Sequence, residues 1–431
     1  MSTGSYIMLK VKVVIPLLLT LAVSLTACGQ PLVSPPEGAG VQVSEKSRIT
    51  RPKIDQNDLT SLSDGNGEFA LDLYHNLRNA DGNLFFSPYS ISQALAMTYA
   101  GAREETEKQM ADTLHFTLPQ ADLHPVFNYL DLRLSSRDKG DKDFNLTIAN
   151  ALWGQKDIIF LPEFLDILAE NYGAGMITLD FENQPQDACN AINSWVSDKT
   201  EGRIKDIISP SNISPDTRLV LTNAIYFKAS WYYKFKENMT IDDTFHLLDG
   251  TEIYVPMMRQ TESHGYAEGN NYQAVELLYS GGKMSMIIIL PEEGSYNDFE
   301  SQIDYGVLQD IMSGIERKQV QLQMPRFEYE SEFSLRDILQ EMGMASAFFE
   351  SADFSGMTGS KRLFIEDVLH KAFVLADETG TEAAAATAVV MEESEPAIEA
   401  KISVDRPFIF LIRDIETNSI LFLGRVLNPS G

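Results

Sequence analysis

Residues 377–396, which read DETGTEAAAATAVVMEESEP, decide the fold. Residues 383–386 are all alanine and favour a helix, whereas the β-branched residues that follow favour a strand. With a period of two, one face carries only uncharged side chains: Thr381, Ala383, Ala385, Thr387, Val389 and Met391. Such a face suits a strand of about 36 Å that slides into an existing sheet. Composition alone favours a surface helix or an Ala-rich linker, and the flanking residues reverse that preference.

The flanking residues are similar to those of a known family. Gly380-Thr381-Glu382, followed by small residues, closely resembles the reactive-loop hinge of the serpins. Upstream, LFIEDVLHKAF at 363–373 resembles the strand that leads into this hinge. GAREETEKQ at 101–109 and TNAIYFKASW at 222–231 resemble further serpin segments, in the family's order. The resemblance covers roughly residues 62–429, and Ala229 stands where the family often has glycine.

The resemblance implies an α+β fold. We expect the serpin fold, with a large central, mostly antiparallel β-sheet, two further sheets, surrounding helices and an exposed reactive loop at about residues 378–400. Helix-like periodicity comes early in the chain and strand-like runs come late, which agrees with this class. Residues 218–231 lack strict alternation, which predicts a strand buried on both faces. Ser90 is expected to cap the helix that follows it. No repeat is visible, so residues 61–431 are predicted to form a single domain.

The chain is strongly acidic. Its 431 residues carry a net charge of −28, with a pI near 4.5. Nucleic-acid phosphates would repel such a protein. Binding to an anionic membrane or to a sulfated polysaccharide would need a basic patch, which the acidic composition disfavours. We therefore expect no nucleic-acid partner and interpret the acidic surface as solubilising. There are two cysteines, and Cys189 is expected to be a small buried side chain without a disulfide partner.

The N-terminus has the pattern of a secretory signal. Lys10 and Lys12 precede an apolar run over residues 13–25 that is too short to span a bilayer comfortably. LTAC at 25–28 follows and resembles the bacterial lipoprotein box. The resemblance implies cleavage before Cys28 and attachment of diacylglycerol to its sulfur. The alternative is an ordinary cleaved signal with an incidental cysteine.

This pattern sets the expected location and organisation. Residues 1–27 are predicted to be the signal peptide, and residues 28–60, rich in Pro, Ser, Gly and charge, a flexible tether. The domain would then be secreted and held outside a membrane, at the cell surface or in the periplasm. It would touch that membrane only through the lipid. A monomer is expected.

The resemblance implies a suicide inhibitor of serine or cysteine endopeptidases. The exposed loop offers a bait bond, the protease forms its acyl-enzyme, and the cut loop inserts as a strand into the main sheet. The implied hinge residues are Glu378, Gly380, Thr381, Glu382, Ala383, Ala384, Ala385, Ala386 and Thr387. The alternative is a non-inhibitory serpin-fold carrier or surface-binding protein. Such proteins tend to have bulky or charged hinges, and this hinge is small and uncharged on its inward face.

The bait bond follows from counting along the loop. The commonest family spacing from Gly380 places Ser394 before the bond and Glu395 after it. A loop one residue shorter would place the bond between Glu393 and Ser394. The first alternative suggests an elastase-like or subtilisin-like target with a small specificity pocket. The second suggests a glutamate-specific protease.

The resemblance also implies a buried polar cluster where the sheet opens. The matching positions are Ser87, Ser90, Asn223 and His370, and Trp231 is assigned to the same sheet-opening group. A neutral hydrogen-bonded cluster there would hold two central strands together and release them during insertion. A satisfied core histidine with no special role is the alternative for His370.

Enzymatic chemistry has no support in the sequence. There is no His-Glu-x-x-His zinc motif, no Gly-x-Ser-x-Gly elbow and no phosphate loop, and the six histidines are scattered. We therefore predict that the chain is not an enzyme and needs no cofactor or metal.

Overall fold

The computed structural model describes residue 1 and residues 35–137, 144–381 and 397–431. Predictions for Cys28, for hinge residues 382–387 and for bait-bond residues 393–395 lie outside the described residues. The α-helices are α1 Gln56–Leu77, α2 Pro88–Tyr99, α3 Glu104–Thr113, α4 Gln120–Leu134, α5 Pro162–Ile167, α6 Pro185–Lys199, α7 Tyr296–Gln302, α8 Tyr305–Ser313, α9 Arg336–Leu339 and α10 Ser355–Thr358. Short π-helical or 3-10 segments are Leu168–Tyr172, Pro210–Asn212, Glu237–Met239, Gln340–Met344 and Ala345–Phe348.

The strands of the described residues form two sheets. They are β1 Gly40–Gln42, β2 Leu84–Phe86, β3 Asn145–Gln155, β4 Met176–Leu179, β5 Leu219–Ser230, β6 Ile241–His246, β7 Glu252–Glu268, β8 Tyr272–Leu278, β9 Met284–Pro291, β10 Glu316–Pro325, β11 Phe327–Ser334, β12 Asp367–Ala376, β13 Gly380–Thr381, β14 Ala400–Ser403, β15 Phe408–Asp414 and β16 Ile420–Val426. The mixture of early helices and late strands confirms the predicted α+β class. The described residues from 35 to 431 belong to one compact unit.

The seven-stranded sheet carries the candidate site. Its order is β1-β4-β3-β5-β13-β12-β11. Central strand β5 is buried along almost its whole length, which confirms the strand predicted to be covered on both faces. Neighbouring strands β5 and β12 run parallel and pair from Val220 with Asp367 to Ile225 with Ala372. Beyond this point the two strands part, and β13 lies between them, paired with both.

The remaining strands form one nine-stranded sheet rather than two separate smaller sheets. Its order is β14-β10-β7-β8-β9-β15-β16-β2, with β6 also paired to β7. The 17-residue strand β7 makes these strands a single sheet, because different parts of its length pair with different neighbours. Its first six residues pair with β6, and its last four residues pair with β8. A single long strand thus joins two groups of strands by continuous hydrogen bonding.

The prediction that Ser90 caps α2 is wrong, because the helix begins before it. Ser87 takes the N-cap position, and its hydroxyl accepts a hydrogen bond from the Ser90 N–H at 3.2 Å. Pro88 occupies the first helical position, where its fixed φ favours the helix and its missing N–H costs nothing. Ser90 therefore lies in the first turn of α2, and its hydroxyl reaches the sheet.

Part of the predicted flexible tether is docked on the body. Residues 40–49, here called the strap, begin with β1, which pairs antiparallel with edge strand β4. The Gln42 side chain donates to the Ile158 carbonyl at 2.7 Å and accepts from the Phe160 N–H at 3.0 Å. The tether prediction for residues 28–60 is therefore wrong for the strap, since edge pairing and a side-chain amide clamp hold it.

Two cations fasten the far end of the strap to the helices. Lys46 forms exposed ion pairs with Asp166 at 3.0 Å and Glu170 at 3.2 Å. Arg48 is less exposed, and its guanidinium donates to Asn128 at 2.8 Å and to Asp131 at 2.5 Å. The strap therefore connects the edge of the seven-stranded sheet to α4 and to the end of α5.

We expect Arg48→Ala to lower the free energy of unfolding by about 1–3 kcal/mol, because it leaves Asn128 and Asp131 without their charged donor. Lys46→Ala is the matched control, since its exposed pairs are expected to contribute at most about 1 kcal/mol. Urea unfolding of both variants measures the difference. Equal losses in the two variants would contradict this account of the strap.

The structure bears separately on Cys189 and on membrane-spanning helices. Cys189 is buried and free, and its thiol donates to the Ile208 carbonyl, which confirms the small buried side chain. Across the described residues, no helix combines the length and apolar character needed to cross a membrane.

Candidate reactive-loop hinge and sheet-opening cluster

The chain reverses direction at the end of β12 through a turn built on Asp377. Its carboxylate accepts hydrogen bonds from the Thr379 N–H at 2.8 Å, the Thr379 hydroxyl at 2.6 Å and the Gly380 N–H at 3.1 Å. Asp side chains favour such local turns because they satisfy nearby backbone donors. The turn directs Gly380 and Thr381 back between β5 and β12 as the short strand β13.

Gly380 is required by close backbone approach. A Cβ at this position would lie 2.0 Å from the Ala229 carbonyl oxygen and 2.6 Å from the Ser230 Cα. Only glycine can bring β13 this close to the end of β5. The sequence prediction that Gly380 is a hinge residue thus has a steric basis in the described structure.

Thr381 is already buried in the sheet. It is 1% exposed, and its hydroxyl shares a 2.8 Å hydrogen bond with the Tyr279 hydroxyl. Burial raises the pKa of Tyr279 far above its ordinary value, so the phenol stays protonated and can donate. Thr381 is the first residue of the predicted inward-facing row, and it lies between β5 and β12. A strand formed by the following residues would continue from this position.

Glu378 anchors the turn to the nine-stranded sheet. Its carboxylate accepts from the Arg326 Nε at 2.7 Å, from an Arg326 terminal nitrogen and from the Thr240 hydroxyl. Its carbonyl accepts from the Phe235 N–H at 2.9 Å. Burial alone would raise the pKa of Glu378, but the bonds from Arg326 and Thr240 outweigh it and the pKa is lowered. The carboxylate is therefore charged at neutral pH.

Trp231 lies at this hinge and not with the predicted polar cluster. Its indole N–H donates to the Asp377 carbonyl at 2.8 Å, and its backbone N–H donates to the Thr379 carbonyl at 2.9 Å. Its ring stacks on Tyr279, with centroids 4.8 Å apart. Trp231 thus contacts the turn. It is eight positions along the chain from Asn223.

The other four predicted cluster residues do come together. Asn223 on β5 and His370 on β12 are paired in register, and the His370 Nδ1 lies 2.5 Å from the Asn223 Oδ1. The Ser90 hydroxyl donates to the same oxygen at 2.9 Å. The Ser87 N–H donates to the His370 Nε2 at 3.2 Å. A strand inserted between β5 and β12 down to this level would break the bond that joins His370 to Asn223.

The hydrogen bonds fix the state of the imidazole. The amide oxygen of Asn223 can only accept, so the His370 Nδ1 carries the proton and Nε2 accepts. Complete burial lowers the pKa of His370 to about 3, and the bond to Asn223 opposes this only in part. The ring is neutral at physiological pH.

Several contributors were not predicted from the sequence. Asn150 on β3 accepts from the Asn223 amide and donates to the Ser90 carbonyl and to Gln93. Tyr279 and Arg326 complete the hinge. Asn150 faces Asn223 across the β3–β5 pair, and the available signal was a polar residue between Ala149 and Ala151 in a predicted strand. Within the described ranges, no group of three or more His, Cys, Asp or Glu side chains is arranged to hold a metal ion.

We expect His370 to make the protein less stable in acid. Its folded pKa of about 3 lies below the ordinary value of 6.5, so the unfolded state binds the extra proton first. This contribution to stability is complete above pH 6.5 and is lost as the pH falls from 6.5 toward 3, by about 1.4 kcal/mol per pH unit. His370→Gln should reduce the slope of the unfolding free energy against pH by about this amount between pH 4 and 6.

Urea unfolding at several pH values measures that slope. His246→Gln is the control, because His246 is half-exposed and outside the cluster. Buried His124 and His264 also have pKa values lowered to about 4, so part of the acid sensitivity should remain in the His370 variant. An unchanged slope in His370→Gln would contradict the neutral assignment.

The fold and the hinge define a class of protein in which the chain turns back after β12 and forms a short strand between β5 and β12 of the main sheet. A family model described as Serpin (serine protease inhibitor) matches residues 64–429. The chain belongs to the serpin family.

Three relatives illustrate this membership. A serpin-like protein of Thermococcus kodakarensis is 44% identical over 367 residues, which cover 84% of each chain. Leukocyte elastase inhibitor A of Rattus norvegicus is 39% identical over 383 residues, covering 86% of this chain and all of the relative. The solved structure of the thermophilic serpin tengpin in the native state matches with a TM-score of 0.80 at 29% identity, covering 90% of this chain and 99% of tengpin.

Proposed function

We propose that this serpin is a suicide inhibitor of serine endopeptidases that traps its target by inserting the cleaved reactive loop into the seven-stranded sheet. The observation that carries the proposal is β13. Both of its residues are paired with β5, and Thr381 is also paired with Ala376 of β12. Insertion would extend this pairing along β5 and β12 toward the level of His370. The residues after Thr381 that are predicted to face inward are uncharged, and those nearest Thr381 are small.

The chemistry requires one covalent intermediate. The protease serine adds to the carbonyl carbon of the residue before the bait bond, the C–N bond breaks, and the amine of the next residue leaves with a proton. The protease is then esterified to the upstream part of the loop. If that part inserts before water hydrolyses the ester, the protease is carried with it and its active site is distorted.

The target class follows from the bait bond. We propose Ser394–Glu395 as this bond, with Glu393–Ser394 as the alternative. A serine before the bond suits an elastase-like or subtilisin-like protease, and the relative in Rattus norvegicus is by name an elastase inhibitor. A glutamate before the bond would suit a glutamate-specific protease, and cysteine endopeptidases could be trapped through the corresponding thioester.

A denaturing gel tests the proposal. The full chain is incubated with an elastase-like, a subtilisin-like and a glutamate-specific protease, and mass spectrometry identifies the released C-terminal fragment. We expect a band at the summed mass that survives denaturant, and the first residue of the fragment identifies the bond. Cleavage without this band by all three proteases, together with an unchanged melting temperature of the cleaved protein, would overturn the proposal in favour of a non-inhibitory carrier.

We also propose that the protein is lipid-anchored at Cys28 on the outer side of a membrane. The basic residues, the short apolar run and LTAC at 25–28 support this. Cys28→Ser should move the protein from the membrane fraction to the soluble fraction, and mass spectrometry of the wild-type N-terminal peptide should show the added diacylglycerol. An unmodified Cys28 in a soluble wild-type protein would contradict the anchor.

A further inference from the structure

The strap joins the seven-stranded sheet at the end far from the hinge. Three cross-strand pairs show which residue of β5 lies at the same height in the sheet as the strap. They are Val41 with Ile177, Ile177 with Trp153, and Trp153 with Val220. The hinge lies at another level, because Thr381 pairs with Ala229, nine residues further along β5. At roughly 3.3 Å per residue, these two levels are about 30 Å apart.

The direction of β1 shows on which side the preceding chain lies. β1 is antiparallel to β4, β4 is parallel to β3, and β3 is antiparallel to β5. β1 therefore runs in the same direction as β5, toward the hinge. Gly40 lies level with Leu219 at the beginning of β5, so the chain before it joins the body at the end opposite the hinge. Any pull on the N-terminal chain acts on that end.

We propose that the strap holds the domain on a lipid surface with the hinge, and hence the reactive loop, directed away from the membrane. The proposal rests on the proposed lipid attachment at Cys28. Gly40 is only twelve positions after Cys28, and this stretch can span at most about 42 Å. If the strap were free, the connection would extend to the start of α1 at Gln56 and its greatest span would more than double.

Exposed apolar side chains at and beside the strap agree with this orientation. Val41, Val43 and Ile159 are exposed, and Ile159 lies between the two backbone groups that the Gln42 side chain binds. Ile159 is 81% exposed and is suited to a headgroup interface. The net charge of −28 opposes close contact between the rest of the body and an anionic lipid surface. The partner that this orientation serves is a soluble endopeptidase in the surrounding medium, because the loop faces outward.

Energy transfer on vesicles tests the orientation without natural lipidation. The full chain without its signal is coupled through Cys28 to a maleimide lipid in phosphatidylglycerol–phosphatidylethanolamine vesicles. Cys189 is buried, and burial raises the pKa of its thiol, so Cys28 reacts selectively. A donor dye is placed by an azido amino acid at Ile159 or, near the hinge, at exposed Tyr232, and the acceptor is a headgroup dye.

We expect transfer from position 159 to exceed transfer from position 232 about twofold or more. The strap variant Gln42→Ala/Lys46→Ala/Arg48→Ala, or a 30-residue Gly-Ser insertion before Pro36, should bring the two values together. Equal transfer in the unmodified strap, or greater transfer at position 232, would overturn the orientation. Because coupling is chemical, failure of the lipid proposal would appear separately, as an unmodified Cys28 in the native protein.

Discussion

Thr381→Arg is expected to convert the protein from an inhibitor into a substrate. Thr381 is 1% exposed, and its hydroxyl bonds the Tyr279 phenol between β5 and β12. An arginine there would have to leave the position between the two strands, and returning to it during insertion would bury its charge at a cost of several kcal/mol. Each 1.4 kcal/mol added to the barrier of insertion slows it tenfold, so hydrolysis of the acyl-enzyme should win by about 100-fold or more.

The measurement is the number of inhibitor molecules consumed for each protease molecule trapped. This number should rise steeply for Thr381→Arg and for Ala383→Glu, with cleaved inhibitor in place of the covalent band. Thr381→Val is the matched control, because it removes the hydroxyl without adding charge and should leave trapping almost unchanged. A covalent complex that persists in the arginine variant would show that a charge at residue 381 does not block insertion.

The sequence identified candidate hinge residues but not their contacts. The alternation from Thr381 onward is a local pattern, and the one residue of it that the structure describes, Thr381, lies between β5 and β12. It could not predict Tyr279 or Arg326 as partners, because both belong to segments distant in sequence that meet the hinge only after two sheets pack together. Contacts of this kind are set by topology, and no local period records them.

Trp231 and the strap show two further limits. The resemblance placed Trp231 with Asn223 in one cluster, but Trp231 directly follows the strand that carries Asn223, and an extended strand separates its two ends by tens of ångströms. Residues 28–60 are polar and rich in turn formers, which is typical of a linker. The strap is nevertheless held by edge pairing and by Arg48. Neither interaction requires a periodic pattern of hydrophobic residues, so the sequence shows no such pattern here.

Glu378→Lys is expected to destabilise the uncleaved protein by about 2–4 kcal/mol. The Glu378 side chain is almost fully buried, and the carboxylate accepts bonds from Arg326 and Thr240. A lysine would place a second cation beside Arg326 and remove the carboxylate that accepts the bonds from Arg326 and Thr240. Breaking a buried pair in this way costs more than the pair contributes, although the partial exposure of Arg326 moderates the loss.

The double variant Glu378→Lys/Arg326→Glu separates the charge effect from the packing effect. A reversed ion pair should recover at least about 1 kcal/mol of the loss in urea unfolding, since residues in direct contact couple by 0.5–3 kcal/mol. Glu328→Lys is the control on neighbouring β11, because Glu328 is exposed and its reversal should stay within about 0.5 kcal/mol. If Arg326→Glu gave no recovery, the backbone bond from Phe235 and the Asp377 turn, and not the ion pair, would be what anchors the hinge.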